Sequence, residues 1–475
     1  MQLKPRRNIR EKLARVSAGL LAATVPIAAG RAAAQPYYGY DDNAYGENDS
    51  FGPGISYSQI DAALLVYQES GGRVSATEPT LDLSMHGADG RQLNVGLVAD
   101  AVSGATPNGA VPSDRAQNFV TPVKVTGTTT TVTSASGGST IIHLAPTPGQ
   151  IAAASLGRQY TVPANTLPMD KGFRDHRGAL SLGWSQPLGA ITEVGVGGSF
   201  SLERDYQALG LNTHAAQTFN GNNTTVSLAL NAEFDTSTPF GGIPTPLAVM
   251  SADFKTPASR DKSQLGFVVG ITQMVTRRWL MQLNYSFDRQ SGYQNDPYRI
   301  ISQVDPVSGE PLQNLYENRP EKRQSQSVFW ENKLSLGPAI TDLSARYYTD
   351  SWGITSKTVE LSERLNFGSV FYLEPDVRWY SQTAANFFQY FLVGGQALPT
   401  YATSDLRLGK FDALTYGAKI GFTISKRSEI YIKAAYYDQT GNGHPSDAIG
   451  QLRAQNLFSG TKASTIFLGY IWDFH

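Results

Sequence analysis

Twelve charged residues stand on the polar faces of alternating segments in the C-terminal part of the chain. They are Glu331 and Lys333; Asp342, Arg346 and Asp350; Glu360 and Arg364; Glu374, Asp376 and Arg378; then Lys419 and Lys433. Opposite signs interleaved on neighbouring strands can do two things. They can set a transverse field across a water-filled passage, or they can cross-link an inner wall and keep its ladder from slipping. Both readings stay open on the sequence. Asp296, Glu317 and Asp350, in segments expected to be loops, have the oxygen chemistry of divalent-cation ligands, although such residues more often tie loops together. Phe387, Phe388, Tyr390 and Phe391 could grip an apolar or ring-shaped solute; an outer aromatic girdle is the favoured reading.

Nothing equips the chain for covalent catalysis. The six histidines, His86, His143, His176, His214, His444 and His475, form no recognisable Ser/His pairing and no His-x-x-x-His spacing, and a Gly-x-Ser-x-Gly elbow is not evident. There is no cysteine, which removes thiolate metal sites, disulfides and a thiol nucleophile. No catalytic residue, metal ion or cofactor is therefore expected, and a barrel enzyme ranks last among the functional readings.

The elements that must position these charges read as strands. Trp279, Met281, Leu283, Tyr285 and Phe287 alternate with Gln282, Asn284 and Ser286. Phe371, Leu373, Val377 and Trp379 oppose Tyr372, Glu374, Asp376, Arg378 and Tyr380. Thr224–Phe234, Leu414–Ile424 and Ile430–Tyr436 repeat the pattern. Alternation over about ten residues is the period of a strand with one apolar and one polar side. Tight turns are expected at Asp89-Gly90, Pro187–Gly189, Thr276–Arg278, Gly337–Ala339, Asn366–Gly368 and Ser425–Arg427. Long connections are expected over 103–175, 207–222, 290–322, 381–410 and 438–462, the first carrying a Thr-rich hairpin. Trp184, Trp279, Trp352, Trp379 and Trp472 lie near strand ends, as an interfacial girdle requires.

Short turns on one side and long loops on the other give an all-β, transmembrane antiparallel β-barrel of about sixteen strands, with fourteen or eighteen open. If every tight turn faces the periplasm, one more strand is needed between Phe234 and Gln264, and Ile243–Phe254 is the candidate despite Pro244 and Pro246. Mean hydropathy is −0.26 and no uncharged apolar run reaches the roughly 20 residues of a helical span. The formal net charge of −1 implies no nucleic-acid partner.

Both termini read as addresses. Lys4, Arg6, Arg7, Arg10, Lys12 and Arg15 precede an apolar run from Val16 to Ala29, and Ala32 and Ala34 stand where a signal peptidase reads, with cleavage before Gln35. Residues 1–34 are thus expected to be a cleaved signal peptide, 35–55 a flexible periplasmic lead and 56–475 the barrel. Gly469, Trp472 and Phe474 fit the signal by which outer-membrane strands are recognised for assembly, with Phe467 where a polar residue is preferred. The expected location is the outer membrane of a Gram-negative bacterium. The expected partners are its lipid and lipopolysaccharide, the barrel-assembly machinery and periplasmic proteins.

Several phrases carry a family resemblance. They are Gly270–Ser286 (GITQMVTRRWLMQLNYS), Gly292–Arg299 (GYQNDPYR), Tyr316–Pro320 (YENRP), Asp350–Ser356 (DSWGITS), Arg378–Phe387 (RWYSQTAANF) and Asp100 with Ser103–Gly109. They resemble a family of outer-membrane proteins defined only as a domain of unknown function, over roughly Tyr57 to the C-terminus. The genes of that family often neighbour those for a small lipoprotein, a thioredoxin-like protein and a periplasmic flavin transferase. The resemblance implies a tie to envelope redox or cofactor handling and supplies no catalytic residue. Two functions are therefore carried forward: a passive or substrate-gated channel for small solutes or ions, and a barrel scaffold that anchors periplasmic partners and conducts little.

Overall fold

The computed structural model describes residues 55–121, 129–133, 139–143 and 158–474. The expected signal peptide, its expected cleavage site at Ala32 and Ala34, and nearly all of the expected lead lie outside the described residues. Sixteen antiparallel strands close into one barrel. We number them β1 (Ile55–Glu69), β2 (Ser75–Gly87), β3 (Gln92–Pro107), β4 (Met169–Leu188), β5 (Thr192–Leu202), β6 (Tyr206–Phe219), β7 (Thr224–Ser237) and β8 (Arg260–Thr276). They continue as β9 (Trp279–Gly292), β10 (Lys322–Leu336), β11 (Ala339–Asp350), β12 (Thr355–Phe367), β13 (Phe371–Gln382), β14 (Phe411–Ser425), β15 (Ser428–Gly441) and β16 (Lys462–Phe474). Each strand pairs with its sequence neighbours, and β1 closes on β16 from Ser58↔Phe474 to Glu69↔Ala463. Closure leaves no unpaired strand edge, the condition for a sheet to stand in hydrocarbon.

The period-two pattern explains which side faces out. Leu182, Val196, Leu211, Leu265, Leu283, Val377 and Ile432 are exposed on the outer face, a belt that water would reject and acyl chains accept. Their neighbours along each strand point into the lumen. Trp184, Trp279, Trp379 and Trp472 belong to the outer face. Trp352 does not: it is buried in a loop cluster with Phe387 and so leaves the expected girdle.

One rim carries the tight connections 88–91, 189–191, 220–223, 277–278, 337–338, 368–370 and 426–427. Gly90 turns there with φ +84°, a left-handed conformation that glycine adopts without a Cβ clash. The other rim carries 108–168, 238–259, 293–321, 383–410 and 442–461, with the shorter 70–74, 203–205 and 351–354. The strand total matches the sequence count, but one strand is misplaced in that count. Gln207–Asn222, read as a long connection, is mostly β6, and its turn 220–223 lies at the tight rim. Ile243–Phe254 is no wall strand: Ile243–Pro244 only pairs with Lys255–Thr256 in a small sheet. Pro244 and Pro246 lack the N–H a wall strand must donate. In β6, Ala208, Gly210 and Ala216 stand inward and Gln207, Thr213 and Gln217 outward, which blurs the alternation that Leu209 and Leu211 begin.

Candidate functional site: a charged lumen beneath a loop cap

The register assigns every one of the twelve charges to the inward side of β10–β15. Lys333 bridges Glu331 at 3.1 Å and Asp342 at 3.2 Å. Lys433 holds Asp376 at 3.0 Å. Glu360 stands opposite Arg378, and Glu374 opposite Lys419. Arg346 lies 5.2 Å over the Phe329 ring and Arg364 3.6 Å over Tyr372. Lys419 lies 4.2 Å from the Tyr431 ring centre and 5.6 Å from that of Tyr372. Asp350 leaves the row. At the long-loop rim it pairs with Arg323 at 2.5 Å and caps the amides of Trp352 and Ile354.

The tyrosines at this wall are positioned by glycines. A Cβ on Gly421 would overlap the Tyr372 ring, and one on Gly469 would overlap Tyr431. Gly469 therefore makes room on the inner face. Trp472 and Phe474 project from the outer side of the same strand, their rings 4.9 Å apart. Phe467 shares the inward side with Gly469, in register with Lys433.

The wall almost opposite is different. In one row run Gly96, Ser181, Ser199 and Gly210; in the next, Gly183, Gly197 and Asn212. A band of small residues thus lines the inner face about β5, bounded by Arg177 of β4 on one side and the Glu193–His214 pair on the other, while β10–β15 carry long charged and aromatic side chains.

The long loops do not stand apart. Five clusters of buried apolar residues bind them into a cap. One joins Val111, Val304, Phe391, Ala448, Leu452 and Leu457; another joins Ala110, Phe119, Val162, Ile300 and Tyr316. Ile300–Val304, Pro311–Tyr316 and Leu392–Val393 form a three-stranded sheet within it. The Thr-rich pair, Thr129–Thr133 with Ser139–His143, is antiparallel. Phe387 and Phe391 are cap core, not girdle.

The cap crosses the mouth. Strand spacing and tilt make a sixteen-strand barrel about 30 Å wide. The Ile300 amide, in the β9–β10 loop, donates to Asn108 O at 3.0 Å, and Arg299 donates to Pro107 O at the end of β3. β3 and β9 are six strands apart round the wall, so this contact spans most of the opening. Other ties reach the remaining rim. Arg73 donates to Ser459 O and Gly460 O, Tyr298 donates to Asp205, and Asn386 N donates to Trp352 O.

Two of the candidate ion-binding carboxylates meet in the cap, and arginines satisfy them. Glu317 accepts from Thr403 Oγ1 at 2.5 Å and from Arg319 at 2.9 Å. Asp296 accepts from Arg407 at 3.2 Å. Arg319 also reaches Asp405 at 3.0 Å, and Arg407 reaches it at 2.7 Å. Burial would raise the Asp405 carboxyl, but Arg407, Arg299 and Arg319 outweigh it and hold it well below the carboxylate range. Asp350 belongs elsewhere, with Arg323. Asp405 and Arg407 carried no signal in the sequence, and Arg299 and Arg319 only that of the family phrases that contain them, because only the meeting of two distant loops gives these residues a role.

A separate carboxylate trio, Asp175, Glu203 and Asp205, brings its oxygens within 4.8 Å of one another at the rim. Burial, then the neighbouring Asp175, pushes Glu203 up to about 7 against the pull of Arg177.

Among solved structures the chain is similar to a bacterial polysaccharide outer-membrane secretin, with 8% identity, 88% of this chain and 98% of that one covered, and a TM-score of 0.41. It is also similar to Pseudomonas aeruginosa OccK2 (OpdF) in complex with glucuronate, with 9% identity, 88% and 98% covered, and 0.36. A third likeness is to the CymD monoaromatic hydrocarbon channel, with 8% identity, 90% of each covered, and 0.36. No curated protein matches the sequence. The family profile described as protein of unknown function (DUF3570) matches residues 28–472, and the chain belongs to that family.

Proposed function

We propose that the protein is an outer-membrane channel for small solutes or ions, closed at its outer mouth until the cap is displaced. The tight-turn rim then faces the periplasm. The observation that carries this reading is the lumen itself. A barrel about 30 Å wide with an apolar outer belt sets a band of small inner residues about β5 against interleaved charges on β10–β15. Water and a polar solute gain a path along the first and a field from the second.

The ties between cap and rim favour a second reading, a non-conducting scaffold for periplasmic partners. Planar-bilayer recording separates the two. The mature chain is expected to show rare, salt-dependent steps. A variant with residues 294–320 replaced by a short Gly-Ser linker is expected to stay open. Folded, heat-modifiable barrels that pass no current in either form would leave the scaffold, and co-purification with periplasmic redox proteins would support it.

A further inference from the structure

The cap is held across two loops, 293–321 and 383–410, by a compact set of charges. Glu317, Arg319 and Asp405 form its inner part: the Glu317 and Asp405 side chains are only 1% and 2% exposed. Arg319 lies between them, at 2.7 Å from Glu317 and 3.0 Å from Asp405. Asp296, Arg299 and Arg407 complete the set, so three cations balance three carboxylates. Arg407 is the outer member, with its side chain 56% exposed. Beside the set, Asn318 and Ala402 exchange two backbone hydrogen bonds of 2.9 Å between the same loops.

Such a set differs physically from the apolar clusters around it. Ion pairs taken out of water gain little net stability while intact, yet loss of one partner strands a buried charge at high cost. The set therefore holds or fails as a unit. Its exposed arginine gives ions and water a point of attack from outside, while its centre stays screened from bulk salt.

We propose that this charge set is the latch of the cap, and that the two loops part when it is broken. The proposal rests on the gated-channel reading only for its purpose; the latch itself is read out without current. The chain has no cysteine, so Ser302→Cys places one reporter thiol in the cap core, at a residue 0% exposed. A water-soluble maleimide then measures how often the cap opens in the refolded, full mature chain. Arg319→Ala in this background is expected to raise the labelling rate at least about tenfold, since two buried carboxylates lose their shared partner. Arg319→Lys keeps the charge but not the fork and should fall between. Arg91→Ala, at the exposed Asp89 pair on the opposite rim, should leave the rate unchanged.

Labelling of Arg319→Ala at the parent rate, in a barrel that is still heat-modifiable, overturns the latch. Faster labelling without current supports the latch and removes the channel reading. If Arg319→Ala does not fold, Asn318→Cys with Ala402→Cys tests the same motion. A hydrogen-bonded antiparallel pair has Cα atoms about 5.5 Å apart, within disulfide reach. Oxidation should slow amide exchange over 299–304, and unchanged exchange overturns the proposal.

Discussion

Gly469 shows how one residue can serve two demands. Its backbone pairs the closing strand to β1 and β15, while its missing Cβ makes room for the Tyr431 ring on the inner wall. Gly469→Ala should force that ring and Lys419 to shift, at a cost of about 1–3 kcal/mol, measured as a lower urea midpoint of the refolded barrel. The conservative change Phe467→Leu on the same face should cost less. Glu203 makes a second residue-scale case. Its carboxyl is raised to about 7 in the folded rim and returns to an ordinary value when unfolded. The folded state therefore binds this proton more tightly, so the rim is penalised above pH 7 and relieved as pH falls towards 4.5. Glu203→Gln should raise the thermal midpoint at pH 8 and leave it nearly unchanged at pH 4.

At the scale of the strand, period two makes neighbouring positions answer to different solvents. Arg378 faces Glu360 across the inner wall, whereas Val377 is exposed on the outside. Arg378→Glu should shift the cation-to-anion permeability ratio of the opened barrel towards cations without blocking assembly. Val377→Asp puts a carboxylate in hydrocarbon, costing somewhat less than the ~2–4 kcal/mol of a mid-bilayer cation, and should lower the yield of heat-modifiable barrel. The opposite pair of results would slip the register by one residue and exchange the two faces. β6 marks the limit of this rule. Its outward Leu209 and Leu211 are clear, but Ala208, Gly210 and Ala216 face inward where polar residues would announce a strand. Hydrophobic contrast along the segment is weak, and pairing with β5 and β7 on both edges decides its conformation.

At the scale of the whole molecule, the inner wall is not uniform round the barrel. Ser199 lies mid-strand on the small wall, in register with Gly210 and Ser181. If the barrel conducts as proposed, Ser199→Arg in the 294–320 replacement variant should roughly halve single-channel conductance by narrowing the passage. Phe200→Leu, one residue away on the outer face, should leave conductance unchanged. The cap adds a second whole-molecule property. Loops rooted on opposite walls share cores, so local mutations in 108–119, 299–316 and 448–457 should couple in double-mutant cycles of cap opening.

The sequence alone determined the antiparallel barrel, its size of about sixteen strands and the in–out alternation along most of them. These follow from local alternation and from turn chemistry, both of which act within a few residues. It also placed Trp472 and Phe474 beside Gly469 at the closing strand. Only the tertiary structure decided where β6 lies, that Trp352, Phe387 and Phe391 are core and not girdle, and that the mouth is capped. It also decided that Glu317 and Asp296 answer arginines. Those outcomes depend on contacts between residues scores of positions apart, such as Glu317 with Thr403 and Pro107 with Arg299. A loop residue carries no periodicity, so its burial and its partner are set only when another loop arrives to cover it.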